Sequence, residues 1–476
     1  MPLILGTNSI KDTGFNVANS CRFDSSSSSY LSRTINLTQN STSQHKFTIS
    51  CWFKLGKTGQ SNGEIFGAHG SNDYFAVRVQ SSNKIDIISY DNAIKGRLTT
   101  TQLLRDHSAW YHIVVACDSN NASGTNRMRL YLNGSEVTDF STDINPSTGA
   151  DIIAENMDEF NIGRNIDQVG GAGLFDGYIT EFVYIDNDQL EPSYFGEFDE
   201  DTGIWKPKDL SELSQLSNTF SFYLDFEDSS NLGNDVSGNN LDFTSNNLTS
   251  IDQSTDTCTN NFATGNPIAS QAGSAQSNSL LTFSEGNLLM ADNSETGIAN
   301  FGLSSGKWFW EVKVIADQDG LIIGACNEHF NINAELGYNS PASATGAKAF
   351  GYYGGNGTAT VSVDDGSGFG SYGSAIAVNN IVSVALDLDS ADQSCTFYLN
   401  GSSQGALDIT NLSSGESYFP AVGNWSVSDV STSWNFGSPQ YSESGGNSDG
   451  NGYGNFSMAV PSGYYALNTK NLAEYG

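Results

Sequence analysis

Three short segments of the chain place acidic residues two positions apart. They are Glu197-Phe198-Asp199-Glu200-Asp201, Asp225-Phe226-Glu227 and Asp387-Leu388-Asp389. Alternate residues of a β-strand point to the same face, so each segment could present two carboxyl groups to one groove. Two carboxyl groups roughly 5–5.5 Å apart would cleave a glycosidic bond with retention of configuration. Hydrolysis of a polysaccharide is therefore the reaction that these spacings could support.

The surroundings of the three segments argue against that reaction. The first segment has no apolar alternation and lies between a proline and a glycine, which is typical of a solvated acidic loop. The other two belong to strand patterns in which structural and turn-forming acids are common. The five histidines follow no Gly-x-Ser-x-Gly elbow, and His112 lies in a strand pattern where packing is expected. We therefore expect no enzymatic activity, and a glucanase-like enzyme is the least favoured alternative.

Asp and Asn residues beside predicted strands form a second kind of candidate site. Calcium takes six to eight oxygen ligands, and these side chains supply them. The same residues also stabilise turns by bonding their own backbone, so turn chemistry without a metal stays open. The candidate calcium ligands are Asp73, Asp91 and Asp167, and Asn72, Asn92 and Asn165 lie beside them.

Aromatic residues near predicted loops form a third kind of candidate site, for binding carbohydrate. Sugar rings pack on aromatic faces, while short polar side chains bond the hydroxyl groups. Partial packing in the core is the alternative for each of these aromatics. The candidates are Tyr74, Trp110, Tyr352, Tyr353 and Trp425, with Asn, Ser and Gly around them.

Composition restricts the partners and the fold. The 476 residues include 20 Lys and Arg against 53 Asp and Glu, for a formal net charge of −33. Such a chain repels phosphate groups and anionic lipids, so we expect neither nucleic acid nor membrane surfaces as partners. No apolar run approaches the ~20 residues that span a bilayer, so no membrane insertion is expected. Aromatic residues at 11% and 50 glycines favour a turn-rich all-β protein.

Short apolar patterns of period two recur through most of the chain. In Phe47–Phe53 every second residue is apolar. Tyr74–Val79, Ile85–Tyr90 and Met128–Leu132 are predicted strands, and Asn133-Gly134 after the last of them predicts a tight hairpin. A short helix is predicted only after these strands, over Asp186–Phe195. With no helical period between the strands, we predict an all-β fold of two antiparallel β-sandwiches in tandem. The predicted order is an N-terminal arm (1–17), a first sandwich (18–190), a loop-rich connector with some strands (191–299), a second sandwich (300–440) and a C-terminal extension (441–476).

Five ordered motifs in the first sandwich resemble those of laminin-G-like jelly rolls, which belong to the concanavalin A-like lectin and glucanase class. The resemblance implies a binding scaffold of two curved sheets, and related jelly rolls bind calcium at strand ends. The motifs are Phe47–Lys54, Trp110–Val115, Leu130–Gly134, Phe160–Gly163 and Phe175–Ile179.

The second sandwich resembles the SPRY domain, which is itself a concanavalin A-like sandwich. Phe309 stands where that family usually has Tyr, and the stretch from about 327 to 380 is long and rich in glycine. The resemblance implies a surface for protein or peptide ligands around Asn327 and His329. The motifs are Gly306–Val312, Val384–Asp387, Asn400-Gly401, Tyr418–Val422 and Trp434–Gly437.

Two segments between the sandwiches, Asp235–Asn240 and Asp256–Pro267, resemble connector motifs in virion proteins of marine tailed bacteriophages. This resemblance implies a protein of the virion surface, assembled in the host cytoplasm, such as a tail fibre, spike or head decoration. We expect it to bind a host surface polysaccharide or receptor, to contact other virion proteins and to form a homo-oligomer. The alternative is an architectural virion component whose sandwiches make protein–protein contacts.

Overall fold

The computed structural model describes most of the chain. The described residues are 14–35, 44–71, 73–154, 157–164, 173–269, 281–292, 296–316, 320–332, 336, 346–354, 360–363, 368–410, 416–424 and 430–476. Four candidate residues, Asn72, Asn165, Asp167 and Trp425, lie outside these ranges. The chain forms two compact units, of which the first ends at Thr259 and the second continues from Asn260.

The first unit is built from strands that follow the predicted period-two patterns closely. Tyr74–Val79, Ile85–Tyr90 and Met128–Leu132 are strands with the bounds that the sequence predicts. Its strands are β1 (Ser20–Phe23), β2 (Tyr30–Thr34), β3 (Lys46–Leu55), β4 (Gly63–His69), β5 (Tyr74–Val79), β6 (Ile85–Tyr90), β7 (Ile94–Thr100), β8 (Trp110–Asp118), β9 (Met128–Leu132), β10 (Ser135–Glu136), β11 (Phe140–Ile144), β12 (Glu159–Ile162), β13 (Gly177–Asp186), β14 (Gly196–Phe198), β15 (Trp205–Pro207), β16 (Phe222–Leu224), β17 (Thr244–Asn246) and β18 (Gln253–Ser254). Short 3₁₀ turns lie at Gly124–Asn126, Pro192–Tyr194, Ser214–Ser217 and Ser250–Asp252.

Two antiparallel sheets of the first unit pack face to face. The first sheet has the order β10-β9-β8-β3-β13-β1-β18, with β16 also paired to β13, and the second has the order β11-β7-β6-β5-β4-β12-β2-β17. Phe47 of the first sheet meets Phe75 of the second edge to face at 5.3 Å, and Phe66 lies 5.7 Å from Phe182. The aromatic residues of the strands therefore form the core between the sheets.

The predicted hairpin at Asn133-Gly134 joins β9 to β10. Both residues have positive φ, 47° and 77°, as a tight two-residue turn requires. Trp205 lies against this turn, because a Cβ added to Gly134 would be 2.3 Å from its ring. Glycine is thus required at this position both for its backbone conformation and for the contact with the indole.

The second unit is a second pair of antiparallel sheets. Its elements are β19 (Thr282–Ser284), β20 (Leu289–Asp292), β21 (Thr296–Ile298), β22 (Lys307–Ala316), β23 (Leu321–Asn327), β24 (Ala349–Tyr353), β25 (Thr360–Val363), β26 (Gly368–Ser371), β27 (Ile381–Asp387), β28 (Ser394–Leu399), β29 (Ser402–Asp408), β30 (Tyr418–Asn424), β31 (Val430–Asn435), β32 (Tyr465–Ala466) and the helix α1 (Thr469–Tyr475). One sheet has the order β19-β20-β31-β22-β27-β28-β29 and the other β21-β30-β23-β24-β25-β26. Trp308, Trp310 and Trp434 are buried in the core of this unit.

The segments outside the two predicted sandwiches also carry regular structure. From the connector, β16, β17 and β18 extend the sheets of the first unit, whereas β19, β20 and β21 belong to the second. In the C-terminal extension, β32 pairs in parallel with β22, and Asn468 caps α1. No helix in the described ranges has the length and apolar character needed to cross a membrane.

Candidate functional site

The outward face of the second sheet carries a row of ring-bearing side chains. His69 of β4 pairs with Tyr74 of β5, and Tyr74 pairs with Tyr90 of β6. Phe75 points into the core, so its neighbour Tyr74 points away from it. The rings lie nearly parallel, with centroids 6.4 Å apart for His69 and Tyr74 and 5.4 Å apart for Tyr74 and Tyr90. We call Tyr74 and Tyr90 the tyrosine platform.

The tyrosine platform is open to solvent at one end. Both tyrosines are half-buried, and Ile94, the register partner of Tyr90 on β7, is 41% exposed. At the other end His69 is buried, and its Nε2–H donates a hydrogen bond to Glu64 Oε1 at 2.7 Å. The two tyrosine rings are therefore stacked on each other, and the inner end of the row is held in place by a buried polar contact.

Acidic and amide groups border the platform where β5 begins and β6 ends. The Asn92 backbone N–H donates to Asp73 Oδ1 at 3.2 Å, and its side-chain amide donates to Asp91 Oδ1 at 2.8 Å. Lys95 Nζ lies 3.2 Å from Asp91 Oδ2. Partial burial raises the pKa of Asp91, but the hydrogen bonds from Lys95 and Asn92 outweigh it and hold the pKa below its ordinary value. The structure thus brings together Tyr74, Asp73, Asp91 and Asn92.

These residues only partly match the donor set of a calcium site. Asp73 and Asp91 offer carboxylate oxygens, yet Lys95 already forms an ion pair with Asp91. Across the described part of the chain, no group of three or more His, Cys, Asp or Glu side chains could hold a metal ion. Because Asp167 lies outside the described residues, the calcium site stays a prediction.

A buried ionic network supports the same sheet face next to the platform. Asp86 of β6 accepts from Arg78 Nε at 3.0 Å and from Arg97 Nε at 2.9 Å. Burial raises the pKa of Asp86, but the hydrogen bonds from Arg97 and Thr99 and the charge of Arg78 hold it below the ordinary value. Because charge-assisted hydrogen bonds have fixed geometry, this network keeps β5, β6 and β7 in register below the platform.

The remaining predicted ligand-binding residues belong to other elements of the two units. Trp110 is buried on the outward face of the first sheet and donates to Asp256. Tyr352 and Tyr353 are buried in the second unit, where Asn327 is also buried and bonds to Gly346 O and Lys348 N. His329 is exposed. Their role in ligand binding stays a prediction.

The acidic pairs considered for catalysis have other partners. Asp199 bonds to Thr202, and Lys206 lies 3.2 Å from it. Asp387 accepts from Lys307 Nζ at 2.7 Å, while Asp389 accepts from the Gly306 backbone. In each case the carboxylate stabilises a turn or a strand end.

Sequence reasoning missed a third carboxylate group that lies with Asp225 and Glu227. Glu181 of β13 lines a cavity of about 690 Å³ together with these two acids and Tyr223. Burial raises the pKa of Glu181 to about 8, the charges of Asp225 and Glu227 add to the effect, and the Tyr223 hydrogen bond opposes it. Its φ is 51°, at a bulge in the pairing of β13 with β3. A single acid within the apolar pattern of this strand was the available sequence signal.

The contact between Ser50 and His112 in the first sheet does not have the geometry of a catalytic Ser–His pair. His112 Nε2 lies 2.9 Å from Ser50 Oγ, and Trp205 Nε1 donates to His112 Nδ1 at 3.0 Å. Since an indole N–H can only donate, Nδ1 is the acceptor and Nε2 carries the proton that bonds Ser50. Burial also lowers the pKa of His112 to about 3. This imidazole therefore cannot take a proton from the serine.

Comparison with known proteins places the first unit in a broad structural class. The sequence model of the concanavalin A-like lectin/glucanases superfamily matches residues 27–190. The regular structure of the described residues is almost entirely β-strand in mainly antiparallel sheets, and the fold of the matched residues is concanavalin A-like. No curated protein matches the sequence.

Three solved structures show distant similarity. The SPRY domain of human HERC1 is 13% identical with a TM-score of 0.26, and the match covers 32% of this chain and 91% of that one. Domain 4 of the arabinanase AbnA from Geobacillus stearothermophilus, in complex with arabinotriose, is 20% identical with a TM-score of 0.24 over 32% of this chain and 65% of that one. A protein of Bacteroides ovatus described as carbohydrate-binding is 15% identical with a TM-score of 0.33, and the match covers 49% of this chain and 59% of that one.

Proposed function

We propose that this chain is a non-enzymatic glycan-binding protein and that the tyrosine platform contacts the sugar. The observation that carries the proposal is the pair of half-buried, nearly parallel rings of Tyr74 and Tyr90 beside the exposed Ile94. The C–H faces of a pyranose pack against such rings, and the Asp91 and Asn92 side chains beside them offer hydrogen bonds to its hydroxyl groups. The concanavalin A-like fold of the first unit supports this assignment.

We further propose that the protein acts at the surface of a tailed-phage virion and binds a host cell-surface polysaccharide during adsorption. The support is the resemblance of Asp235–Asn240 and Asp256–Pro267 to connector motifs of such virion proteins. The net charge of −33 is compatible with this setting. Salt at marine strength shortens the electrostatic screening length to roughly 3–5 Å, so repulsion between the acidic side chains is weak there. In this setting its partners are other virion proteins and further copies of the chain.

The platform is tested with the variants Tyr74→Ala and Tyr90→Ala. A glycan array first identifies a ligand, and calorimetry then measures its Kd for each variant. Loss of one aromatic contact is expected to weaken binding about 3- to 10-fold, equivalent to roughly 0.5–1.5 kcal/mol. Tyr194→Ala is the matched control, because Tyr194 lies in the same unit, is 46% exposed and is remote in sequence from the platform.

Two outcomes contradict the proposal. The first is a glycan Kd that is the same for the wild type and for the double variant Tyr74→Ala/Tyr90→Ala, when circular dichroism shows that the variant is folded. The other is a chain that binds no polysaccharide of any susceptible host. Absence of new reducing ends after incubation with a bound polysaccharide is the expected result for a binding protein, and their release would show an enzyme instead.

One observation favours the architectural alternative. Strand β29 ends its sheet, and most residues of Ser402–Asp408 are exposed. An exposed edge strand can pair with a strand of a neighbouring protein. Cross-linking of intact particles distinguishes the two functions, because an architectural chain links to virion proteins through β29, whereas a receptor-binding chain leaves the tyrosine platform accessible to antibody.

A further inference from the structure

Lys54 and Asp256 form a buried pair between residues 202 positions apart in the sequence. Lys54 Nζ lies 2.8 Å from Asp256 Oδ2, and the side chains are 0% and 2% exposed. Lys54 lies on the outward face of β3 between its cross-strand neighbours Trp110 and Tyr178, and Asp256 follows β18. Burial of two opposite charges removes both from water, and this desolvation opposes their mutual attraction.

The Asp256 side chain and backbone are held on several sides. Trp110 Nε1 donates to Oδ1 at 3.1 Å, while Lys54 Nζ donates to Oδ2. Ser20 Oγ donates to the Asp256 carbonyl at 2.6 Å, and the Asp256 N–H donates to Ser254 Oγ at 3.1 Å. The amine is thus held beside the carboxyl carbon, one bond beyond Oδ2, in a buried position. Such fixed proximity lowers the entropy barrier of a condensation.

We propose that Lys54 Nζ and Asp256 Cγ are joined by an amide bond in the folded chain. One ammonium proton passes along the hydrogen bond to Oδ2, which replaces two buried charges by a neutral amine and a carboxylic acid. The amine lone pair attacks Cγ, and the Trp110 indole N–H stabilises the negative charge that develops on Oδ1. A second proton moves from nitrogen to Oδ2, the Cγ–Oδ2 bond breaks, and one water leaves. The ammonium and the carboxylate thus yield a secondary amide and water without any further reactant.

The position of the bond gives it a mechanical consequence. Asp256 opens the connector segment Asp256–Pro267, and the first unit ends three residues later, at Thr259. Tension along the chain between the two units would reach the first unit at this segment. An amide bond to β3, a central strand of the first sheet, would transmit that tension to the sheet. The segment that starts at Asp256 would then stay attached to the sheet under load.

The test is the intact mass of the purified full chain under denaturing conditions, followed by tandem mass spectrometry of its tryptic peptides. We expect a mass lower than the sequence mass by one water, no cleavage after Lys54, and a branched peptide that joins the Lys54 and Asp256 segments. The variant Lys54→Met is expected to recover the full mass of its sequence. Because the decisive measurement uses the unmodified protein, it does not depend on the folding of a variant.

The chain contains a matched internal control. Lys307 Nζ lies 2.7 Å from Asp387 Oδ2, but Lys307 is 33% exposed, so trypsin is expected to cleave after it in the normal way. A full sequence mass for the wild-type chain would overturn the proposal. So would a loss of water that maps to another position, such as a cyclised Asp176-Gly177.

Discussion

Glu181→Gln is expected to stabilise the first unit in a strongly pH-dependent way. Burial raises the pKa of Glu181 from 4.5 to about 8, with Asp225, Glu227 and Asp209 adding to the effect. The side chain is 5% exposed, so solvent screens it little. The amide oxygen of Gln can still accept the hydrogen bond that the Tyr223 hydroxyl donates at 2.6 Å. The substitution therefore removes the ionisable proton while keeping the contact.

The sign follows from proton binding in the two states. Between about pH 5 and pH 8 the unfolded chain has lost this proton while the folded chain keeps it, so rising pH favours unfolding by about 1.4 kcal/mol per pH unit. Over that range the wild type loses about 4 kcal/mol relative to the variant, and above pH 8 the difference stays constant. At about pH 4 the two proteins should be equally stable.

Urea denaturation at several pH values, read by tryptophan fluorescence, measures this difference. Glu212→Gln is the control, because Glu212 is exposed and lines the same cavity. The Glu212→Gln variant also loses a negative charge, but its free energy of unfolding should depend on pH in the same way as that of the wild type. A free-energy difference between wild type and Glu181→Gln that is the same at pH 5 and pH 9 would refute the reasoning.

Three further outcomes are expected. The ring signals of His112 should not titrate in NMR spectra between about pH 9 and pH 5, because its pKa is lowered to about 3, and a midpoint near 6.5 would contradict the buried environment. Gly67→Ala should lower the urea unfolding free energy by about 1–3 kcal/mol, since its Cβ would lie 2.1 Å from a buried glutamate oxygen of the same strand, and an unchanged value would show that the carboxylate moves aside. Gly134→Ala should lower the free energy of unfolding more than Gly203→Ala does. Both glycines have positive φ, but only a Cβ at position 134 would clash with Trp205, so equal losses of unfolding free energy would argue against that contact.

The strands and several of their turns could be predicted from local sequence patterns. The period-two patterns predicted β5, β6 and β9 to the residue, because strands with one apolar face must alternate. Asn133-Gly134 predicted its turn because few residue pairs tolerate two positive φ values. The family motifs, which depend on the same buried positions, led to the concanavalin A-like fold that the comparison with known families supports. One local prediction was wrong: the short helix expected near 186–195 is a 3₁₀ turn at Pro192–Tyr194.

Which side chains meet across the sheets was decided only by the tertiary structure. Tyr74 was a candidate from its position beside a loop, but its partner Tyr90 follows from the register of β5 with β6. Glu181 and Tyr223 come together through the bulge in β13 and the pairing with β16. The contact between Lys54 and Asp256 spans 202 residues. Local sequence encodes alternation and turns, whereas these contacts depend on strand order and on how distant segments cover a sheet face, which no local pattern specifies.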